Sequence, residues 1–160
     1  MNAAKRINTR KRVKRAAMLG YYNRARIHYS QGSGRWQGIN RKQRAGNGQY
    51  PTVADCSSFT TWVFWDATRI YGLGDFVNGA GWRAGYTGTQ TQHGKRISGR
   101  WLLPGDLVFY GGNQSVPGHV AIVVKGGRLN QALVVSHGSE PGPLLVRAAY
   151  RPVNQIRRYI

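Results

Sequence analysis

The sequence has one cysteine, five acidic residues and no long apolar run. The first and the last of these shortages each exclude a class of protein. With Cys56 alone, neither an intramolecular disulfide nor a zinc site built from several cysteines can form within the chain. No apolar run approaches the length of a membrane span, and the apolar residues 16–19 are too few for a signal peptide. We therefore expect a chain that is made without a signal peptide and does not span a membrane.

Basic residues are abundant where acidic ones are scarce. The chain has 24 Lys and Arg and a formal net charge of +19 at pH 7, and 13 of the basic residues precede Asp55, its first acidic residue. A field of this sign attracts polyanions and accelerates encounters with them. Nucleic acid, anionic lipid and the acidic polymers of a bacterial wall all fit, and charge alone does not choose among them.

The length of 160 residues is enough for a single domain with a buried core. We expect a basic, flexible N-terminus over residues 1–11 and one domain over residues 12–160. Apolar residues at helical spacing predict a helix over residues 12–26. A second helix begins after Asp55, which is a good N-cap residue. Loops with one short helix are expected over residues 72–100.

The C-terminal part of the chain consists of short apolar runs separated by turns, which is typical of strands. Five strands are predicted, at residues 107–110, 119–124, 132–137, 144–149 and 155–160. The short connections indicate antiparallel pairing. Helices followed by strands indicate the α+β class, with helices packed on five or six antiparallel strands. Asp106 precedes the first strand and is interpreted as a turn residue.

Cys56 is a candidate nucleophile because it lies in the first turn of the second helix. The unpaired backbone N–H groups and the helix dipole at that position favour the thiolate over the thiol. Ser57 supports the same first turn. A free cysteine also behaves as a small buried hydrophobe, so catalysis by Cys56 requires a base elsewhere in the chain.

Two histidines can supply that base. His119 opens one predicted strand and His137 closes the next, so antiparallel pairing places both at the same end of the sheet. Cys56 would attack, His119 would carry the proton, and His137 would orient His119. A histidine that only ends a strand is the alternative for each. A zinc site from these three residues is disfavoured because no closely spaced ligand pair is present. We predict no metal and no cofactor.

Three segments resemble one enzyme family. They are Asp55-Cys56-Ser57-Ser58-Phe59, residues 103–109 (LPGDLVF) and residues 118–123 (GHVAIV), and they are similar in sequence and order to NlpC-type cell-wall peptidases. The resemblance covers about residues 15–159. Tyr29-Ser30-Gln31 and Arg35-Trp36 further resemble the peptidase domains of lysins from phages of actinobacteria.

The resemblance implies a papain-like fold and hydrolysis of peptide bonds in peptidoglycan. By the family's order of Cys, His and a third polar residue, it implies that Cys56, His119 and His137 are catalytic. The family's upstream tyrosine corresponds to Tyr29, whose hydroxyl would join the Cys56 N–H in binding the oxyanion. Ser57, Gln31 and Trp36 are candidate substrate-binding residues on the same basis.

The chain also departs from the family pattern. Ser58 stands where the family usually has Gly, and Tyr29-Ser30-Gln31-Gly32 replaces a Tyr-x-Trp-Gly-Gly motif. Cleavage between D-glutamate and a diamino acid is therefore implied without being fixed. Another bond of the stem or cross-link, or amidase cleavage at the sugar–peptide junction, stays open.

Other functions would use the same composition differently. A basic nucleic-acid-binding protein without catalysis fits the charge and the aromatic residues, although Phe59, Trp62 and Val63 follow core spacing. An antibacterial effector toxin or a virion-associated lysin would use the same thiol chemistry. We expect a monomer made in the host cytoplasm that acts at the bacterial wall, after holin-dependent release or delivery by a virion or secretion system. Its basic surface would bind anionic wall polymers, with no obligatory nucleic acid.

Overall fold

The fold was analysed in a computed structural model, which describes residues 1–79 and 85–160. The helices are α1 (Ala3–Tyr22), α2 (Gln37–Asn40), α3 (Cys56–Thr68) and α4 (Thr87–Thr91). The strands are β1 (His28–Tyr29), β2 (Val53–Ala54), β3 (Lys95–Ile97), β4 (Asp106–Tyr110), β5 (His119–Lys125), β6 (Leu133–Ser136), β7 (Leu144–Arg147) and β8 (Val153–Arg158). Among the described residues, no helix is both long and apolar enough to cross a membrane.

Six strands form one antiparallel sheet in the order β3-β8-β4-β5-β6-β7. This confirms the predicted α+β class with five or six antiparallel strands. All five predicted strands are present within a few residues of their expected bounds. β3 was not predicted, because its three residues are mostly exposed and basic and lack an apolar pattern. Residues 80–84, part of the predicted loop segment, lie outside the described residues.

The first helix begins much earlier than its apolar spacing predicts. It starts at Ala3 instead of residue 12, and the Asn2 side chain caps it by accepting a hydrogen bond from the Lys5 N–H at 3.0 Å. Contacts distant in sequence hold this first half: the Arg10 guanidinium donates to the carbonyls of Pro104 and Ile160. The segment predicted to be flexible is therefore helical from Ala3, because polar tertiary contacts replace the missing apolar face.

Asp106 joins three parts of the fold. Its buried carboxylate accepts two hydrogen bonds from the Arg158 guanidinium, at 2.8 and 2.6 Å, and one from the Leu103 N–H at 2.8 Å. Arg10 of α1 lies 3.8 Å from the same carboxylate. Asp106 thus belongs to β4 and links it to β8 and α1, rather than serving only as the turn residue that the sequence suggested.

The two faces of the sheet support different layers. Val120 and Ile122 of β5 pack in the core formed with α1 and α3, whereas Ala121 and Val123 pack in a second core on the opposite face. Alternate residues of a strand point to opposite faces. By the same alternation His119 shares the face of Ala121, so it can approach Cys56 only past the end of the sheet, where the Val120 N–H faces the sulfur.

Candidate active site

The helix that carries Cys56 is fixed at its start by Asp55. The Asp55 carboxylate accepts the Ser58 N–H at 2.7 Å, and Ser58 Oγ accepts the Asp55 N–H at 2.9 Å. This reciprocal pair is a capping box, and it confirms the predicted N-cap. The hydroxyl of Ser58 completes it, a contact that glycine, the residue usual in the family, would not provide.

Cys56 is buried at the first position of α3. Backbone N–H groups of Ser57, Cys56 and Val120 face the sulfur and lower the pKa of the thiol, but burial dominates and raises that pKa to about 12. The nearby Asp55 carboxylate also raises it. The helix start thus favours the thiolate as expected, but desolvation outweighs it and favours the neutral thiol.

His119 lies at the start of β5 and directly precedes Val120, whose N–H faces the Cys56 sulfur. Its Nε2 is 2.8 Å from Ser136 Oγ, and its ring stacks on Tyr110 with centroids 5.9 Å apart. Burial, followed by the positive charge of Arg151, lowers the pKa of His119 to about 4. The imidazole is therefore neutral near pH 7.

His137 lies at the same end of the sheet as His119 but on its other face. The observed pairing of Ala121 with Ser136 puts Ser136, not His137, on the face of His119. The His137 ring packs edge-on against Tyr29 and Phe59, with centroids 5.5 and 5.8 Å away.

The contact predicted for His137 is thus made by its neighbour Ser136. Neither His137 ring nitrogen has a hydrogen-bond partner of good geometry among the described residues. The carbonyls of His28 and Ala54 nevertheless lie near enough to favour the protonated ring, and burial, the larger effect, lowers the pKa of His137.

Ser136 is held in turn by Tyr150, whose hydroxyl is 3.0 Å from Ser136 Oγ. The sequence analysis missed both residues. Once the pairing of β5 with β6 is known, the alternation of side chains places Ser136 on the same face as His119. Tyr150 lies in the turn before β8 and has no sequence signal that links it to the site.

Tyr29 approaches Cys56 through a short parallel pair of strands. β1 pairs with β2, so Tyr29 lies opposite Ala54, two residues before Cys56. Burial raises the pKa of the Tyr29 hydroxyl, and the hydrogen bond from Gln31 partly opposes that shift. Gln31 donates from Nε2 to the Tyr29 hydroxyl at 3.2 Å, so the structure brings these two predicted residues together beside the cysteine.

Ser57 and Trp36 occupy structural positions. Ser57 is buried, donates from Oγ to Asp55 Oδ1 at 3.0 Å, and accepts at its carbonyl from Gln90 Nε2 at 3.0 Å. Trp36 packs in the core beneath the Arg35 guanidinium, which is 5.4 Å from its ring centroid. Arg35 also lies 3.3 Å from the Asp55 carboxylate. Ser57 contacts Asp55 directly, and Trp36 packs against Arg35, which contacts Asp55, so both predicted substrate-binding residues support the start of α3.

Metal binding finds no support in the arrangement. Within residues 1–79 and 85–160, no three His, Cys, Asp or Glu side chains are grouped so that they could hold a metal ion. The alternative zinc set of Cys56, His119 and His137 is not such a group in the part of the chain that the structure describes.

Comparison with known proteins identifies relatives of this arrangement. Residues 35–144 match the model of the NlpC/P60 family. The structure is similar to that of the peptidoglycan hydrolase RipB from Mycobacterium tuberculosis, with a TM-score of 0.63 over 100% of this chain and 69% of that one. The two sequences are 20% identical, so this likeness concerns the fold. No curated protein sequence matches the chain.

The raised pKa of Cys56 can be measured directly because the chain has no other cysteine. We expect the rate of iodoacetamide alkylation to rise about tenfold per pH unit from about pH 6 to pH 10 without a plateau, since the thiolate fraction grows throughout. Urea-unfolded protein is the control and should approach a plateau above about pH 9. A plateau in the folded protein near pH 6 would instead indicate a preformed thiolate–imidazolium pair.

Proposed function

The chain belongs to the NlpC/P60 family, and from this premise we propose that it hydrolyses a peptide bond of bacterial peptidoglycan through Cys56. One observation carries the proposal: the Cys56 sulfur faces the N–H of Val120, the residue that directly follows His119 in β5, and His119 Nε2 is engaged by Ser136. A nucleophile, a base and a group that orients the base are the parts that thiol hydrolysis requires. RipB, similar in fold, is described as a peptidoglycan hydrolase.

Acylation follows from the neutral state of both groups. His119 Nδ1 accepts the thiol proton as the Cys56 sulfur attacks the carbonyl carbon, and the carbonyl electron pair moves onto oxygen. The C–N bond then breaks, and the imidazolium gives its proton to the departing amine. The product is an acyl-thioester on Cys56.

Deacylation uses the same groups in reverse. Water attacks the thioester while His119 accepts its proton, the C–S bond breaks, and the proton returns to the sulfur as the acid is released. Because burial lowers its pKa, His119 is unprotonated at neutral pH and able to accept a proton, and the imidazolium that forms returns that proton readily.

Oxyanion stabilisation is assigned to the Cys56 N–H and the Tyr29 hydroxyl. The pairing of β1 with β2 places Tyr29 opposite Ala54, close to Cys56, and Gln31 Nε2 donates a hydrogen bond to the Tyr29 hydroxyl. Donors fixed before reaction stabilise the charge that develops in the transition state.

We further propose that the protein acts as a lysin held to the wall by its basic surface, as the resemblance to phage lysins implies. The exposed cations of α1 provide such a surface and include Lys5, Arg6, Lys11, Lys14 and Arg15. Arg10 and Arg12 of the same helix donate to backbone carbonyl oxygens, so they do not belong to this basic surface. Anionic wall polymers are the fitting ligand.

Mass spectrometry of digested peptidoglycan tests the catalytic proposal. The wild-type protein should release new stem-peptide fragments, and Cys56→Ala should release none, because no other thiol can form the acyl-enzyme. The fragments also identify the bond. Equal fragments from both proteins would exclude Cys56 as the nucleophile, and walls of several chemotypes left intact by both would contradict hydrolysis itself.

The orienting residue is tested by two neighbouring variants. Ser136→Ala should lower kcat about tenfold with little change in KM, since a hydrogen bond to the base contributes about 1 to 1.5 kcal/mol. His137→Phe keeps the aromatic contacts with Tyr29 and Phe59 and should retain activity within about threefold. The reverse result, a harmless Ser136→Ala and an inactive, folded His137→Phe, would restore the predicted role of His137.

Wall binding is measured by co-sedimentation of the non-lytic Cys56→Ala protein with isolated walls. Retention should fall at least fivefold between about 0.05 M and 0.5 M NaCl, because screening weakens exposed charge contacts. Changing Lys11, Lys14 and Arg15 to Gln should reduce retention at low salt. The matched control changes the exposed residues Lys95 and Arg96 on β3 and should bind as before. Retention that is independent of salt would contradict the proposal.

A further inference from the structure

Arg151 stands at the end of a chain of contacts that begins at the base. His119 contacts Ser136, Ser136 contacts the Tyr150 hydroxyl, and the Arg151 guanidinium lies over the Tyr150 ring, 4.9 Å from its centroid. A guanidinium stacked on an aromatic ring is held in position without losing its N–H donors. Arg151 is therefore a cation placed at the catalytic histidine.

The same residues line a small cleft of about 190 Å³. Tyr29, His119, Tyr150 and Arg151 contribute side chains, and glycines such as Gly118 and Gly138 contribute backbone. The cleft is smaller than the pockets of about 300 to 1,000 Å³ that bind drug-sized ligands, so it suits a single small residue. A Cβ at Gly138 would come within 3.1 Å of the His119 ring, which shows how closely this wall approaches the base.

The charge of Arg151 is not neutralised by the protein. Among the described residues, no carboxylate lies within ion-pair distance of it, and Glu140, in the adjacent loop, instead faces His28 at 3.5 Å and accepts the Tyr29 N–H at 2.7 Å. Arg151 is exposed to the cleft. An unpaired guanidinium in a small polar cleft is suited to a carboxylate ligand.

Arg151 is associated with the histidine rather than with the cysteine. The cleft that Arg151 lines includes His119 but not Cys56. In thiol hydrolysis the histidine protonates the departing amine, so its side of the cleft holds the leaving group. Arg151 thus lies on the leaving-group side.

We propose that Arg151 binds a free carboxylate on the substrate residue whose amine is released, and so selects carboxylate over carboxamide forms of the stem peptide. The proposal rests on the proposed hydrolysis of peptidoglycan and specifies its substrate class. The guanidinium fork and the planar carboxylate pair through two parallel hydrogen bonds, which a carboxamide cannot accept in the same way.

The test uses the stem peptide that the wild type cleaves, synthesised in two forms that differ only at the leaving-group residue, as carboxylate or carboxamide. The wild-type protein should favour the carboxylate peptide about 10- to 100-fold in kcat/KM, the range for a charge-assisted hydrogen bond. Arg151→Gln should lose most of that preference, and Arg151→Lys should keep part of it. Arg147→Gln is the matched control, because Arg147 is exposed on β7 and donates to the Gln131 carbonyl.

The outcomes separate this inference from the proposed function. Equal cleavage of the two peptides by the wild type, or an unchanged preference in folded Arg151→Gln, would overturn the carboxylate site while leaving hydrolysis established. Cleavage of neither peptide and of no intact peptidoglycan would instead refute hydrolysis, and the carboxylate site with it.

Discussion

The buried carboxylate of Asp55 is the interaction on which the site depends. It caps α3, accepts the Ser57 hydroxyl, and lies 3.3 Å from the Arg35 guanidinium. Its charge also reaches Cys56 and His119 and raises the pKa of each. A single side chain thus fixes the position of the candidate nucleophile and adds to the effect of burial, which keeps the thiol protonated.

Much of this arrangement is predictable from local sequence, since caps and strand ends are local features. Asp55 precedes an apolar helical pattern, and His119 opens an apolar strand, so the candidate nucleophile, the candidate base and their order along the chain need no tertiary information. The choice between Ser136 and His137 does need it. Both end the same strand, and an irregularity in the pairing between Val123 and Lys125 sets which one faces His119. Because side chains alternate between the two faces of a strand, a shift of one residue in the pairing changes which of the two residues faces His119.

The positive charge of the chain has two separate uses, which composition cannot distinguish. Arg12 donates to the carbonyls of Asp66 and Ala67 near the C-terminal end of α3, where a helix leaves its acceptors unpaired. Arg10 and Arg158 are bound to the end of the sheet through Asp106. These arginines stabilise the fold, and only the exposed remainder is available for an anionic partner. The early start of α1 follows from the same contacts, and it could not be read from an apolar pattern that its first half lacks.

Burial raises the pKa of Cys56 and lowers that of His119, so burial favours the uncharged form of both groups. In the proposed mechanism a neutral pair transfers its proton only as the sulfur attacks, and the charges that form then need partners in place. The backbone N–H groups at the start of α3 serve the sulfur, and Ser136, supported by Tyr150, serves the imidazolium. The desolvation that suppresses the resting thiolate also strengthens these contacts, because fixed dipoles act more strongly where water is excluded. The low reactivity of the free thiol and the readiness of the site for reaction therefore have one physical cause.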